Sequence, residues 1–418
     1  DFETTGTDSG VHIDDTETLT ITGLKAIDLG NGIETASSLT SITASTADGN
    51  MDLGAIVAAE LTSLTATVAS DHTLTVDAHT GAADLNSVSL SGGTLALIEF
   101  GAGTASTSLD TFTATAEEAN IVFTTGNAAY AGIDATALGT VTLSAASGSI
   151  QVNDSSGSGN LVTAADSTGI TVNLTAKTNI GGATLGTDDA VVQNTGGDIT
   201  ATLAGTADAH VDYTVVTSGV VNLTAANTGG MESVITNVSA STGTSTITLG
   251  NASSGNTNAV ALGGSIKTLY VTGGTGTESI TLVDALDMHN GTIALGSGTD
   301  TLDLTHAEDS TSATTEGVAL NLSNSTITFD SGTSYASTLT SGQLAEYDDA
   351  GDTDSDIKTT DLNMTVSGVE TVIGTLNGDY IAGANTGNTI DGAAGADTII
   401  GSAAADTIEG GADVDTLT

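Results

Sequence analysis

From Gly374 to Thr418 the chain repeats every nine residues without an insertion, as GTLNGDYIA, GANTGNTID, GAAGADTII, GSAAADTIE and GGADVDTLT. Each unit opens on a glycine. The sixth position is Asp379, Asn388, Asp397, Asp406 and Asp415; the eighth is Ile381, Ile390, Ile399, Ile408 and Leu417. A free loop has no need of such a phase, whereas a coiled backbone of fixed pitch does. The glycine-rich half of each unit supplies backbone angles that L-residues disfavour, and so turns. The other half is short and extended, with its eighth-position side chain inward and the two neighbours outward. Two units then make one coil with two strands and two turns, and coils stack as parallel sheets around a ladder of Ile and Leu.

That stacking brings the sixth-position side chains into columns, which repel themselves unless a cation intervenes. Calcium fits, being a hard ion that takes about six to eight oxygens from carboxylates and carbonyls. The expected ligand pairs lie one coil apart: Asp379 with Asp397, Asn388 with Asp406, and Asp397 with Asp415. Asn377 and Asp413, at the fourth position of the first and last units, are further oxygen donors in the same turns.

Charge narrows the possibilities. Asp and Glu number 51 against 4 lysines and no arginine, for a formal net charge of −47. Nucleic-acid binding needs a positive footprint that Lys25, Lys177, Lys267 and Lys358 cannot provide, so no nucleic-acid partner is expected. Anionic membrane surfaces are disfavoured for the same reason, and no apolar run reaches the roughly eighteen residues of a membrane helix, so no direct insertion is expected. Self-repulsion on this scale calls for salt or bound cations, which points outside the cell. Cysteine is absent, which excludes disulfides and thiolate metal sites. Yet 38% of the residues are hydrophobic, too many for a disordered acidic chain.

The body alternates as strands do. HTLTVDA at 72–78, VTLSA at 141–145, ITVNLTA at 170–176, VVNLTA at 220–225, STITLG at 245–250, SITLVD at 279–284 and TLDLTH at 301–306 are rich in Thr, Val, Ile and Leu and bounded by turn residues. VNLTA occurs twice, so the body is repetitive too. An irregular parallel β-helix and a string of β-sandwiches both accommodate such strands. The rung-like spacing and the absence of Pro and Trp favour the solenoid.

The nonapeptides resemble the G-G-x-G-x-D-x-U-x signature of RTX proteins. The second glycine survives only at Gly411 and the fourth-position glycine only at Gly395, and Asn388 replaces one aspartate. The phrases GNGIETASSLTSITAS at 30–45 and VSGVETVIGTLNGD at 366–379 look like spacer phrases of RTX-bearing bacterial surface-layer proteins of the Caulobacter type. The resemblance implies an all-β chain, a right-handed parallel β-helix or β-solenoid ending in a calcium-binding RTX β-roll, secreted by a type I system. Three segments are expected: a solenoid body over 1–290, a β-rich segment with an acidic loop over 291–373, and the β-roll over 374–418. The chain is read as a piece of a longer protein whose anchoring and secretion segments lie elsewhere.

Acids outside the array cluster in two further places. Asp348, Asp349, Asp352, Asp354 and Asp356 form the densest cluster, and D-T-D-S-D opens like an EF-hand loop. Ile357 and Asn363 stand where that loop needs its glycine and its bidentate Glu, so Asp352, Asp354 and Asp356 are read either as a calcium loop of another shape or as a solvated acidic loop. GSGTDTLDL at 296–304 resembles one degenerate nonapeptide, with Asp300 in the acid position and Asp303 outward on the next turn, and an isolated calcium site is expected there. GTGTESITL at 274–282, with Glu278, is a weaker version. The histidines, His12, His72, His79, His210, His289 and His306, lack the tight spacing of a zinc site.

No enzyme is expected. There is no Arg to neutralise an acidic sugar, and no nucleophile elbow, phosphate loop or HExxH. A glycosidase needs only two placed carboxylates, which leaves a carbohydrate-active β-helix as the least favoured reading. The expected function is a secreted calcium-binding structural protein that self-assembles on the cell surface, with copies of itself as partner and cell-surface polysaccharide as a second candidate. A calcium-dependent adhesin or matrix fibre is the alternative.

Overall fold

The computed structural model describes residues 11–12, 16–29, 32–34, 38–77, 79–80, 84–98, 108–125, 132–154, 159–166, 168–181, 190–216, 219–237, 243–283, 290–307, 316–329, 338–348 and 356–418. Among them every regular element is a β-strand. The chain forms two compact units, Asp1–Gly219 with Ala226–Gly229, and Val220–Ala225 with Gly230–Thr418. The borders expected at 290 and 373 fall inside the second.

In the first unit, alternation sets each strand's faces. Thr111–Ala116 buries Phe112, Ala114 and Ala116 and turns its threonines outward. Parallel pairing in register repeats this from coil to coil. Ile42 lies beside Leu64, then Val88, Phe112, Val141 and Val172. Outside, Thr43, Thr65, Ser89, Thr113 and Thr142 form a matching hydroxyl ladder. The β-branch of Thr suits the strand and its hydroxyl faces water, so one residue type satisfies both demands. A second parallel series runs through Thr73–Val76, Thr94–Ile98, Ile121–Thr125 and Ile150–Asp154. The two series face each other across the core, where the rings of Phe112 and Phe123 lie 6.2 Å apart. Each fully buried Leu, Ile or Phe contributes about 1.5–3 kcal/mol. Coils lengthen along the unit: bonded Ser41 and Ser63 are 22 residues apart, and bonded Ser149 and Thr178 are 29 apart. A third strand is present in the shorter coils, in the paired series Ile33–Glu34, Ile56–Val57 and His79–Thr80, and in the longer ones, in the paired series Ile133–Ala135, Gly159–Ala164 and Ala190–Asn194.

The second unit has the same plan with tighter coils. One series buries Ile280, Leu302, Val372 and Ile390 in parallel register. The other ends in Tyr380–Ala382, Thr398–Ile400 and Thr416–Leu417, which stack Ile381, Ile399 and Leu417. Here the coil has shrunk to 18 residues, two nonapeptides, as the sequence requires.

The pairing is not parallel throughout. Between Asp356–Ser367 and Glu316–Asn321 sits Gln343–Asp348, antiparallel to both. The flanking strands rejoin the parallel stack, Asp356–Ser367 on Asn290–Ala294 and Glu316–Asn321 on Tyr380–Ala382. The other face ignores the excursion, and Thr301–His306 pairs directly with Thr371–Ile373. Small side chains cannot fill the wedge this opens. Phe329, Tyr347 and Tyr380 do so instead, against Leu339 and Ile357, with Phe329 and Tyr380 edge to face at 4.7 Å.

Candidate metal centre

Position six of each nonapeptide sits at a coil corner, just before a strand, and is drawn inward. Asp379, Asn388 and Asp397 are buried. Asp406 and Asp415 are half-buried. One hydrogen bond recurs. The N–H of the corner residue in one coil donates to the carboxylate of the corner residue in the next: Asp379 to Asp397 Oδ1 at 2.8 Å, Asp397 to Asp415 Oδ1 at 3.1 Å, and Asn388 to Asp406 Oδ1 at 2.8 Å. The pairs expected one coil apart are thus brought together. What joins them here is an amide donating to a carboxylate.

The second carboxylate oxygen explains the opening glycine. A Cβ at Gly374, Gly392 or Gly410 would collide with Oδ2 of Asp379, Asp397 or Asp415 in the same unit. Where position two is in ordinary geometry, its N–H also donates to that acid, Thr375 to Asp379 Oδ2 and Ser402 to Asp406 Oδ2, both at 2.6 Å. The third unit differs. Ala393 adopts φ +69° and its N–H donates to Asp391 Oδ1 at 3.0 Å. Asp397 Oδ2 is left buried with no partner.

Burial dominates the electrostatics. It pushes Asp379 up to about 7, against the opposing donors Val318 N and Thr375 N and Oγ1, with Asp397 adding to the rise. Burial likewise lifts Asp397 to about 6 despite the Asp379 N–H, with Asp415, Asp391 and Asp413 adding to it. Asp406, more open, is held below its usual value by the N–H of Ser402. Two buried carboxylates whose ionised forms are disfavoured relative to a free aspartate, one with an unmatched oxygen, form a donor set suited to a hard cation. Asp379, Asp397 and Asp415 are the residues to hold it. Among the described residues no three acid or imidazole side chains converge on one point, so such an ion draws its remaining oxygens from backbone or water.

Asn388 plays another part. Its Oδ1 accepts from Ala384 N, but its Nδ2 donates to the Val369 carbonyl at 2.9 Å. An aspartate has no such donor, so the departure from the repeat has a structural reason. Asn377 is also engaged, Nδ2 donating to Glu316 O at 2.9 Å. Asp413 is exposed at φ +78°, in the place where the third unit has Gly395 at +107°.

The corner rule continues beyond the nonapeptides, which sequence reasoning saw only in part. Glu278 N donates to Asp300 Oδ1, and Asp300 N to Glu370 Oε2, each at 2.9 Å. The structure thus groups Asp300 with Glu278 and Glu370. Asp303 is not among them; its Oδ1 accepts from Thr305 N. Glu370 carried no signal, because 70 residues separate it from its neighbour. Of the five-acid cluster, Asp348 and Asp356 are paired positions on antiparallel strands. Asp349, Asp352 and Asp354 lie outside the described residues. His72 Nε2 is 3.3 Å from Asp71 and 3.5 Å from Asp48, which binds Lys25 at 2.6 Å, a surface network.

Residues 382–417 match the family described as RTX calcium-binding nonapeptide repeat, in 4 copies. No curated protein and no solved structure matches the chain. The chain therefore carries calcium-binding RTX repeats near its C-terminus, on a β-solenoid. Repeats of this kind are typical of extracellular proteins exported by type I secretion. The unit Gly374–Ala382, all but its last residue upstream of the matched range, obeys the same corner geometry through Asp379.

Proposed function

We propose that this chain is a secreted structural protein that self-assembles into a layer on a bacterial cell surface, with calcium driving both the folding of its last coils and the contacts between copies. The observation that carries this reading is the column of buried corner acids, Asp379 over Asp397 over Asp415, at the end of a long stack of coils. Asp379 and Asp397 each tie their coil to the one before by accepting a backbone N–H, from Val318 and Asp379 respectively, and the glycines opening their units leave room for them. Their burial makes the ionised form costly in the folded coils, so these coils are weak at neutral pH when calcium is scarce. Bound calcium supplies the positive charge that the facing carboxylates lack, and its binding free energy becomes folding free energy. A chain unfolded inside the cell and folded outside suits export.

A net charge of −47 makes two copies repel, so contacts between them need a bridging cation. The outward Thr and Ser ladders offer long, uncharged, hydrogen-bonding faces, suited to a neighbouring copy or to cell-surface polysaccharide. Catalysis has no part in this reading. The corner acids turn to the coil interior and meet amide groups.

Cryo-electron imaging of the purified protein at millimolar calcium, beside a matched sample in EGTA, tests the proposal. Sheets that vanish on chelation are expected. Fibres in place of sheets would make it a matrix or adhesin protein, and folded single molecules in both samples would refute assembly.

A further inference from the structure

Outside the nonapeptides, a corner of the second unit holds two acids side by side. Glu278, in Thr277–Val283, and Asp300, immediately before Thr301–His306, are both 0% exposed. One oxygen of each is accounted for. Asp300 Oδ1 accepts from Glu278 N at 2.9 Å, and Glu278 Oε1 takes Asn258 Nδ2 at 3.4 Å. Gly274 N–H also donates to the Glu278 carboxyl, and the two carboxyl groups lie within hydrogen-bonding reach of each other; Glu278 Oε2 and Asp300 Oδ2 are buried and receive no amide, hydroxyl or lysine donor. Burial, then the adjoining Asp300 carboxyl, pushes Glu278 up to about 7.

Elsewhere the chain solves the problem of a buried polar corner without charge. Asn194 donates to the carbonyls of Asp166 and Asp198 and accepts from Gly196 N. Asn321 donates to Ser325 O and Leu339 O and accepts from Ser323 N. An amide has both donor and acceptor and so closes on the backbone. Two carboxyl groups do not, and an unmatched buried carboxylate oxygen costs more than the hydrogen bond it forgoes. A corner that needed only polar closure would carry Asn here too.

We propose that Glu278 and Asp300 hold a hard divalent cation of calcium's class, at a site separate from the nonapeptide array. Two carboxylates cancel a charge of two, whereas a monovalent ion leaves one uncompensated. The donors are all oxygen, with no thiolate or imidazole, which selects against zinc and copper. An irregular glycine-flanked corner suits the loose geometry of calcium better than the strict octahedron of magnesium. Half-buried Glu370, whose Oε2 accepts from Asp300 N, borders a cavity of about 450 Å³ with Gly368 and Val369. The ion pins the coil from which the chain departs on its antiparallel excursion. The site operates in single molecules, so it stands or falls apart from assembly.

The test is calcium binding by equilibrium dialysis on the full chain in unassembled form. Glu278→Gln with Asp300→Asn is expected to bind one calcium fewer than the parent. An unchanged stoichiometry would overturn the proposal and make the pair a protonated one. Because that variant can fail to fold, a second variant, Asp397→Asn with Asp406→Asn and Asp415→Asn, removes the array acids instead. In it, calcium is expected to slow hydrogen exchange at least tenfold in 277–283 and 301–306. No calcium effect on those strands would refute the site.

Discussion

Without calcium, the last coils should be more stable in mild acid than at neutral pH. Asp379 has no exposure, and burial carries it from 3.8 to about 7 in the folded chain, in spite of three donors. A raised folded value means that the folded state holds the proton more tightly than the unfolded one. The contribution is therefore fully present below the unfolded value, near 3.8, and is lost as pH rises through about 7. A rise of roughly three units corresponds to about 4 kcal/mol, of which about 3 kcal/mol falls between pH 5 and 8. Asp397 and Glu278, also raised, add in the same direction. The protonated acid has a partner ready, since Thr375 Oγ1 lies 2.9 Å from Asp379 Oδ1. The assay is hydrogen exchange in EGTA, corrected for the pH dependence of intrinsic rates, on peptides covering Tyr380–Ala382 and Thr398–Ile400. Their opening free energy should fall by about 3 kcal/mol from pH 5 to pH 8. Saturating calcium should abolish that fall, because the ion favours the ionised acids. Protection in EGTA that is flat or increases over this range would refute the claim that burial governs Asp379.

Three substitutions probe the corners separately. Ala393→Gly removes a side chain from φ +69° and should stabilise the calcium-loaded array by about 0.5–1 kcal/mol in urea titrations; a loss of stability would mean that its Cβ packs usefully. Gly392→Ala drives a Cβ into Asp397 Oδ2 and should weaken calcium binding at that corner at least tenfold by calorimetry, with an unchanged affinity showing that the acid can move aside. Asn388→Asp sets a carboxylate oxygen against the Val369 carbonyl and should destabilise the calcium-free chain by about 1–3 kcal/mol; a neutral effect would show that the Nδ2 bond contributes nothing.

The nonapeptide coil was legible because its period and its chemistry agree. Position eight must be apolar, position one must be glycine, and position six must be an oxygen donor, so Ile399, Gly392 and Asp397 each report on one geometry. The solenoid body was legible from alternation in strands such as Thr111–Ala116. The antiparallel strand Gln343–Asp348 was not, since alternation fixes which side chains point inward but says nothing of strand direction. For the same reason Glu370 escaped notice. A corner partner one coil away is found by counting, and counting fails when an excursion separates neighbours in space by 70 residues. Asn388 reads in sequence as a weakened ligand. Its role as a donor to Val369 exists only in three dimensions.

The direct pairing of Thr301–His306 with Thr371–Ile373 makes the chain between them a graft point. The register of that face is set by Leu302 against Val372, and among the described residues the excursion contributes no strand to it. Sequence between Ala307 and Asp356 can therefore grow or change without shifting a rung, provided that Glu316–Asn321 and Gln343–Asp348 are kept for the opposite sheet and Phe329 and Leu339 for the aromatic core. In a chain whose other dimensions are fixed by stacking, this is where length and sequence are free to change. It is also where a foreign peptide can be carried without disturbing the stack.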